Sequence, residues 1–438
     1  AACCLPRPPP SRRSTSLVAM LPVDAETGAK ALAAPLEAPP KEEAHPRRQQ
    51  QRACAIFIAL SAFVGLSALA ARHLTAPPAA AAEAAAAAEG AFGAAAAAEF
   101  ESFAVRFGRS YAPEERDVRY AIFKANYRFV QTENAKGLPY TLTVNEFADL
   151  TPQEFRSGHL GFSSSSRGSA ADTAAAPWGG LLHLGTDGLD VTSVGNATAG
   201  NATAAPLTAA APPGAVDWAA KGAVNPPKNQ LHCGACWAFA TTGALEGAWQ
   251  IASGKLVSLS EQQFVDCDKG DNACGGGLMD QAFRYAESQG ICTEESYPYQ
   301  GKAATCRASN CSVAVPRSAV QGFRDVASGS EEALMQAVSR QPVAVAIEAD
   351  QLSFQLYSGG VLTQECGDKL DHGVLLVGYG TDNGVDYWKI KNSWGPSWGE
   401  GGFVRIKRGV KGSGQCGINS APSYPVLRTP SAAASVVV

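Results

Sequence analysis

Residues Lys228–Phe239 read KNQLHCGACWAF and are followed by an alanine-rich, apolar run to about Ile251. The run predicts a buried helix whose first turn carries Cys236. A thiol at a helix N-terminus lies near partial positive charge, which lowers its pKa and enlarges its thiolate fraction. Because the thiolate is the nucleophilic form of cysteine, the stretch indicates a reactive residue at position 236.

Cysteine usage supports a reactive thiol. Of the twelve cysteines, three precede position 55 and nine follow position 230. In a disulfide-forming compartment, nine cysteines form four bridges and leave one thiol free. An odd cysteine in such a setting is a candidate reactive residue.

A thiol nucleophile needs a base, and the chain has six histidines. Four of them lie near the apolar N-terminal segment or in and beside a linker: His45, His73, His159 and His183. His232 is close in sequence to Cys236 and stays open as a partner. His372 lies at the entry to a strand-like run, LDHGVLLVGYG. Downstream, in YWKIKNSWG, Asn392 offers an amide to orient an imidazole, and Trp394 offers a ring to shield the pair from water.

The combined pattern closely resembles the papain-like cysteine proteases of the cathepsin L-like type. It consists of Gln230 six residues before Cys236-Trp237, then Asp371-His372-Gly373, then Lys391-Asn392-Ser393-Trp394-Gly395. The resemblance spans residues 212–438 and implies an α+β, two-lobed fold. One lobe is expected to be helical and the other β-barrel-like, with the substrate in the cleft between them. The implied activity is that of an endopeptidase.

The resemblance implies a role for each catalytic candidate. Cys236 attacks the scissile carbonyl, His372 takes and then delivers the proton, and Asn392 holds the imidazole. Gln230 and the backbone N–H of Cys236 form the oxyanion hole. No cofactor and no metal are implied.

The family's substrate-binding positions carry mostly apolar residues and glycines. They are Gly276, Gly277, Leu278, Met279, Ala346, Leu370, Asp371, Trp394 and Ala421. The glycines leave backbone free to pair with an extended substrate. Five of them predict a hydrophobic pocket for P2, the second residue before the scissile bond: Leu278, Met279, Ala346, Leu370 and Ala421. Ala421 puts no acidic group at the base of this pocket. The alternative is that these apolar residues belong only to the core.

The resemblance also implies three disulfides, Cys233–Cys274, Cys267–Cys306 and Cys366–Cys416. Elimination then leaves Cys292–Cys311 as a fourth bridge and Cys236 as the free thiol.

Three residues depart from the usual pattern around the nucleophile. Leu231 and His232 replace small residues, and Ala235 replaces a common serine. Leu231 stands where glycine is usual, so strain in this turn is expected, with displacement of Gln230 as the consequence.

Residues 99–156 predict a charged helical domain. A series at three- and four-residue spacing is similar to the ERFNIN pattern of inhibitory prosegments, with valine in place of isoleucine: Glu115, Arg119, Phe123, Asn126, Val130 and Asn134. The adjoining motif is Asn145-x-Phe147-x-Asp149, with Thr143 where glycine is usual. The resemblance implies that this prosegment inhibits the enzyme by running through the cleft against the direction of a substrate.

Residues 157–211 predict a Ser, Gly and Ala-rich linker. The match of Val216-Asp217-Trp218 to the mature start predicts cleavage near 205–212. Asn196 and Asn201 begin glycosylation acceptor triplets, which have meaning only in the secretory lumen.

Residues 53–71, ACAIFIALSAFVGLSALAA, are uncharged and long enough to span a bilayer. More arginines precede this segment than follow it, which predicts a signal anchor with residues 1–52 in the cytosol. Ala68-Leu69-Ala70 keeps a cleaved signal open as the alternative. Either way the chain enters the secretory route, with a lysosome or vacuole, or the extracellular space, as the destination. Residues 72–98 predict an alanine-rich linker.

The net charge of −4 predicts no nucleic-acid partner. The partners implied are protein and peptide substrates, the chain's own prosegment, cystatin-like inhibitors, and a membrane through residues 53–71.

Two other classes of function stay open. Cys233-Gly-Ala-Cys236 is a CxxC motif at a helix start, as in thiol–disulfide oxidoreductases. The downstream histidine and asparagine, and the lack of a βαβ pattern around the motif, disfavour that reading. The Leu231 departure favours a catalytically silent binding protein. A zinc site is weaker still, because Cys267 and Cys274 are too far apart for a CxxC knuckle.

Overall fold

A computed structural model describes residues 79–163 and 211–428. The predicted membrane segment 53–71, the triplets at Asn196 and Asn201, and most of the predicted cleavage region lie outside the described residues. No helix within the described ranges is long and apolar enough to cross a membrane. The chain divides into two units at Ala82/Glu83, and the structural features below lie in the second, except for the first four residues of the helix that begins at Ala79.

The prosegment is helical, as predicted, and two of its helices begin at residues that favour a helix start. They are α1 (Ala79–Arg106), α2 (Pro113–Asn134) and α3 (Pro152–His159). Helix α2 starts with proline at its first turn, where the missing N–H costs nothing. Thr151 and Glu154 form a capping box at the start of α3, which satisfies two otherwise unpaired N–H groups.

The linker predicted for 72–98 is wrong over residues 79–98, because helix α1 runs through this stretch without a break. Alanine has the highest intrinsic helix propensity, so an alanine-rich segment forms helix readily. The side chains at 81–91 are exposed, whereas Phe100 and Phe103 are buried. Both rings pack against Phe123 of α2, with centroids 5.2 and 5.0 Å away. Aromatic burial therefore joins the two helices.

The helical lobe of residues 212–428 is built on α4 (Cys236–Ser253), α5 (Glu261–Cys267) and α6 (Met279–Ser288). Helix α4 is buried over most of its length and is capped after Ser253 by Gly254, whose φ of +74° is the left-handed conformation common at helix ends. A short antiparallel pair, β3 (Ile291–Cys292) with β4 (Val313–Val315), completes this lobe.

The other lobe contains a nine-stranded sheet in the described part of the chain. Its order is β1-β7-β10-β9-β8-β6-β11-β5, and β2 pairs with β8. The strands are β1 (Tyr140–Leu142), β2 (Val216–Asp217), β5 (Val320–Asp325), β6 (Val343–Ile347), β7 (Tyr357–Leu362), β8 (His372–Asp382), β9 (Val385–Lys391), β10 (Phe403–Lys407) and β11 (Ser423–Leu427). All pairs are antiparallel except β7 with β10. Helices α7 (Glu331–Val338) and α8 (Leu352–Gln355) belong to the same lobe.

The two lobes meet where α4 lies against β8. At Gly243 an added Cβ would lie 2.7 Å from Leu375 Cδ2, so glycine permits this close approach. The contact brings together the first residue of α4, Cys236, and the first residue of β8, His372. The predicted two-lobed α+β fold is confirmed.

All four predicted disulfides are present, and Cys236 is the free thiol among the described cysteines. The fourth bridge, Cys292–Cys311, ties β3 to the chain just before β4. Because Cys233 is bonded to Cys274, it is not paired with Cys236. The redox-active CxxC alternative therefore loses its support.

Candidate active site

Cys236 lies at the start of α4 and is completely buried. Its Sγ accepts a hydrogen bond from the backbone N–H of Gly373 at 3.3 Å. Burial raises the pKa of the thiol to about 12, although backbone N–H groups of Gly373, Gly161 and Trp237 act in the opposite direction. The direction is contrary to the one predicted from the helix N-terminus. Here the free-energy cost of placing a thiolate in a buried site outweighs the stabilising field of the helix N-terminus.

His372 faces Asn392 across the β8–β9 pair. The His372 Nε2 and Asn392 Oδ1 atoms are 2.8 Å apart, and Trp394 stacks on the imidazole with centroids 4.7 Å apart. The Nδ1 atom of His372 is buried and makes no hydrogen bond within the described residues. Burial lowers the pKa of His372 to about 4, against the opposing effect of Asn392. In the covered site, thiol and imidazole are therefore both neutral.

Gln230 is held at several atoms. Its N–H donates to the Ser393 carbonyl at 2.8 Å, and its Oε1 accepts from the Ser393 hydroxyl at 2.5 Å. The Tyr299 hydroxyl donates to the Gln230 carbonyl at 2.9 Å. Leu231 has a φ of +54°, so the turn is strained as expected. The three hydrogen bonds above hold Gln230, the residue that precedes this strained turn.

Residues 158–163, which we call the cleft segment, lie across this site. The His159 carbonyl accepts from Gln230 Nε2 at 2.9 Å. Further along, the N–H groups of Gly161 and Phe162 donate to the Asp371 carbonyl at 3.1 and 2.9 Å. The prediction that the linker begins at 157 is therefore wrong for residues up to 163. Hydrogen bonds to the cleft order this stretch despite its linker-like composition.

Gly277 pairs with the cleft segment through both of its backbone groups. Its N–H donates to the Gly161 carbonyl at 2.9 Å, and its carbonyl accepts from the Ser163 N–H at 3.2 Å. Gly161 itself approaches the backbone so closely that a Cβ there would lie 2.1 Å from the Gly234 carbonyl oxygen. A residue with a side chain would not fit at this position.

The predicted P2 residues gather in one apolar cluster. Met279 and Ala346 are buried in it, Leu370 and Ala421 pack against it, and Leu278 is buried beside Met279. Gly276, with a φ of +109°, precedes Gly277, whose backbone pairs with the cleft segment. Phe162 of the cleft segment packs against the same cluster.

Trp394 does not join this pocket. It stacks on His372, and Phe147 and Phe155 of the prosegment meet it edge-on at 5.5 and 5.1 Å. The structure therefore separates Trp394 from the predicted apolar pocket.

Several docking contacts were not predicted from the sequence. Strand β1 adds the prosegment to the sheet by pairing with β7. The Asn145 side chain donates to the Gln355 carbonyl at 2.8 Å, and the Gln355 side chain donates to the Phe147 carbonyl at 2.8 Å. Asn145 was found through its motif, but no local pattern marks Gln355, which lies about 200 residues downstream.

Comparison with known proteins agrees with this architecture. The sequence profile of the papain family cysteine proteases matches residues 212–426, and that of the cathepsin propeptide inhibitor domain (I29) matches residues 100–155. The senescence-specific cysteine protease SAG12 of Arabidopsis thaliana is 44% identical over 330 residues, which cover 74% of this chain and 88% of that protein. The cysteine proteinase RD21A of the same plant is 41% identical over 75% of this chain, and the match spans only 66% of its length.

A solved proform has the same fold. Digestive procathepsin L 3 of Tenebrio molitor is 35% identical, with a TM-score of 0.60, over 76% of this chain and 99% of that one. Fold, disulfides, prosegment and sequence relatives lead to one conclusion. The chain belongs to the papain family of cysteine proteases and is an endopeptidase proform that carries its I29 inhibitor domain.

Proposed function

We propose that this endopeptidase hydrolyses peptide bonds through Cys236, His372 and Asn392 once the prosegment has left the cleft. The observation that carries the proposal is the 2.8 Å contact between His372 Nε2 and Asn392 Oδ1, beside the buried thiol of Cys236. This contact leaves Nδ1 of His372 as the ring atom free to exchange a proton with the thiol.

The chemistry follows from these positions. Sγ of Cys236 attacks the carbonyl carbon while its proton passes to Nδ1 of His372, and Asn392 holds the imidazolium. Gln230 Nε2 and the backbone N–H of Cys236 donate to the oxyanion, a role supported by the His159 carbonyl that now accepts from the same amide. The imidazolium then protonates the leaving amine, and water hydrolyses the thioester.

The enzyme prefers a hydrophobic residue at P2. Phe162 supports this, because its ring packs against the cluster that includes Met279, Leu370 and Ala421 while the neighbouring backbone pairs with Gly277. A substrate backbone bound at Gly277 would place its own side chain in the same apolar surroundings.

The prosegment keeps the enzyme latent by occupying the cleft, and cleavage near 205–212 releases it. Intact-mass analysis of an active form that retains residues 100–200 would contradict this maturation site.

Acid favours that release. Arg119 pairs with Glu115 at 3.1 Å and with Glu154 at 2.9 Å, and Tyr111 donates to Asp149 at 2.8 Å. Partial burial raises the pKa of Glu154, but the Thr151 cap and the pairing with Arg119 outweigh it and hold this pKa below its ordinary value. This stabilisation is present at neutral pH and is lost as the pH falls through the lowered pKa. Equal processing rates at pH 7 and pH 4.5 would argue against acid release.

We place the chain in the secretory route, as a type II membrane precursor anchored by residues 53–71, glycosylated at Asn196 and Asn201, and sorted to a lysosome or vacuole. Cystatin-like proteins are proposed inhibitors of the open cleft. Glycosidase treatment and alkaline extraction of membranes from expressing cells test these proposals. A band that does not shift after glycosidase treatment would contradict glycosylation. A precursor that is fully extracted with the soluble proteins would contradict the membrane anchor.

One experiment tests the nucleophile and the pocket together. The acid-treated protein is labelled with an epoxysuccinyl thiol probe, the modified residue is mapped, and hydrolysis of Phe-Arg and Arg-Arg fluorogenic substrates is compared, with Cys236→Ala as the control. Labelling confined to Cys236 and preference for Phe-Arg are expected. A folded, processed protein without labelling or hydrolysis would instead be a silent homologue.

A further inference from the structure

Two carboxyl groups lie close together beneath the glycines of the cleft. Asp268 and Asp271 belong to the loop between α5 and α6. Asp268 Oδ1 accepts from the Gly270 N–H at 2.8 Å, and Asp271 Oδ1 accepts from the Leu278 N–H at 2.8 Å. Both Oδ2 atoms are buried and receive no hydrogen bond from other groups in the described residues, although the two side chains interact with each other. Two such oxygens are compatible only if one proton lies between them.

The pair touches the substrate-binding backbone directly. A Cβ on Gly277 would lie 2.7 Å from Asp271 Cγ on one side and 2.7 Å from the Trp237 ring on the other. The Asn272 N–H also donates to the Gly276 carbonyl at 2.9 Å and closes the loop. The Asp271 carboxyl therefore lies against Gly277, the residue that pairs with the cleft segment.

The charged and titratable groups around the pair do not neutralise it. Lys269 donates to the Asp266 carbonyl at 3.0 Å rather than to either carboxyl, and its charge only partly lowers the pKa of Asp268. On α6, Asp280 raises the pKa of Asp271 further, and Tyr285 faces Asp268 as a neutral phenol. Burial is the main cause that raises the pKa of Asp271 to about 8. The shared proton is therefore kept in acid and is lost as the pH rises through about 8.

We propose that Asp271, through a proton shared with Asp268, is a positioning residue that holds Gly277 in place for pairing with extended substrates. The proposal rests on the proposed function and names a determinant of substrate affinity at the same cleft. When the proton leaves, two facing carboxylates repel and the loop that carries Gly276–Leu278 moves. Substrate affinity then falls, while the catalytic step at Cys236 is changed little.

The test measures binding rather than turnover, because turnover also follows the ionisation of Cys236 and His372. Cys236→Ala protein, processed by added active enzyme, is titrated with a fluorescein-labelled peptide containing Leu-Phe-Arg from pH 5 to pH 9. We expect the Kd to rise about fivefold between pH 8 and pH 9, because the group has a pKa of about 8 and its protonated form binds. Adding Asp271→Asn, whose amide donates to Asp268 without titrating, should remove this rise. Glu295→Gln, which removes an exposed carboxylate elsewhere in the chain, should keep the rise.

The outcomes separate the two proposals. A Kd that stays constant to pH 9, or that rises equally with Asp271→Asn, overturns the role of Asp271. Circular dichroism at each pH identifies unfolding, and a rise that coincides with unfolding in every variant also overturns it. Failure of the proposed function is a different result, namely the absence of epoxysuccinyl labelling at Cys236 in the unmutated enzyme at pH 5.

Discussion

Protonation of His159 is expected to open the cleft in acid. The residue is 5% exposed, and its ring lies 4.8 Å from Phe147, 5.5 Å from Phe155 and 4.6 Å from His232. Its Nε2 has no hydrogen-bond partner in the described part of the chain. Burial, with smaller effects of His232, His372 and Arg109, lowers its pKa from 6.5 to about 4, although a hydrogen bond with the Leu231 backbone acts in the opposite direction.

The direction and the size of the expected pH effect on cleft opening follow from this shift in the pKa of His159. The covered cleft favours neutral imidazole, so its stabilisation is complete above about pH 6.5 and is lost as the pH falls toward 4. At pH 5, a shift of this size amounts to about 2 kcal/mol, which is about 30-fold in the equilibrium between covered and open cleft. His159→Phe keeps an aromatic ring between Phe147, Phe155 and His232 and removes the group that titrates.

The assay is the rate at which an epoxysuccinyl probe labels Cys236 in the intact proform, divided by the rate for the processed enzyme. The division removes the effect of pH on the thiol itself. Between pH 7.5 and pH 5 the ratio should rise about 30-fold in the unmutated chain and change little in His159→Phe. His183→Phe, outside the described residues, is the matched control. An equal rise in His159→Phe, or no rise in the unmutated chain, would refute the reasoning.

Three further results are expected. Gln230→Ala should lower kcat by about 10²- to 10³-fold with little change in KM, as measured by steady-state kinetics; a change confined to KM would contradict an oxyanion role. Ala421→Glu should move the P2 preference toward Arg-Arg, because it places a carboxylate at the pocket base; an unchanged Phe-Arg to Arg-Arg ratio would place residue 421 outside the pocket. Leu231→Gly should raise the Tm of the processed enzyme by relieving about 1 kcal/mol of backbone strain, and a lower Tm would mean that the leucine's contact with Gly301 matters more.

The local patterns that predicted the site are short. Cys236 was found from a helix start, and His372 and Asn392 from motifs that coincide with the start of β8 and the end of β9. In each case the residue's identity and its immediate neighbours carry the information, so the sequence was sufficient. The linker predictions failed for the opposite reason. Composition alone does not show that the alanines continue a helix. It also does not show that residues 158–163 are held in place by hydrogen bonds to residues about 70 to 210 positions away.

The fold class, the cysteine pairing, the prosegment and the roles of the candidate catalytic groups followed from the sequence through its resemblance to the papain-like proteases, because that resemblance rests on residue types at characteristic spacings. Tertiary structure decided the protonation of those groups. The helix N-terminus predicts a low thiol pKa for Cys236, yet burial beneath the cleft segment raises it. The raised pKa of Asp271 and the lowered pKa of His159 likewise result mainly from burial, and burial exists only once the chain has folded.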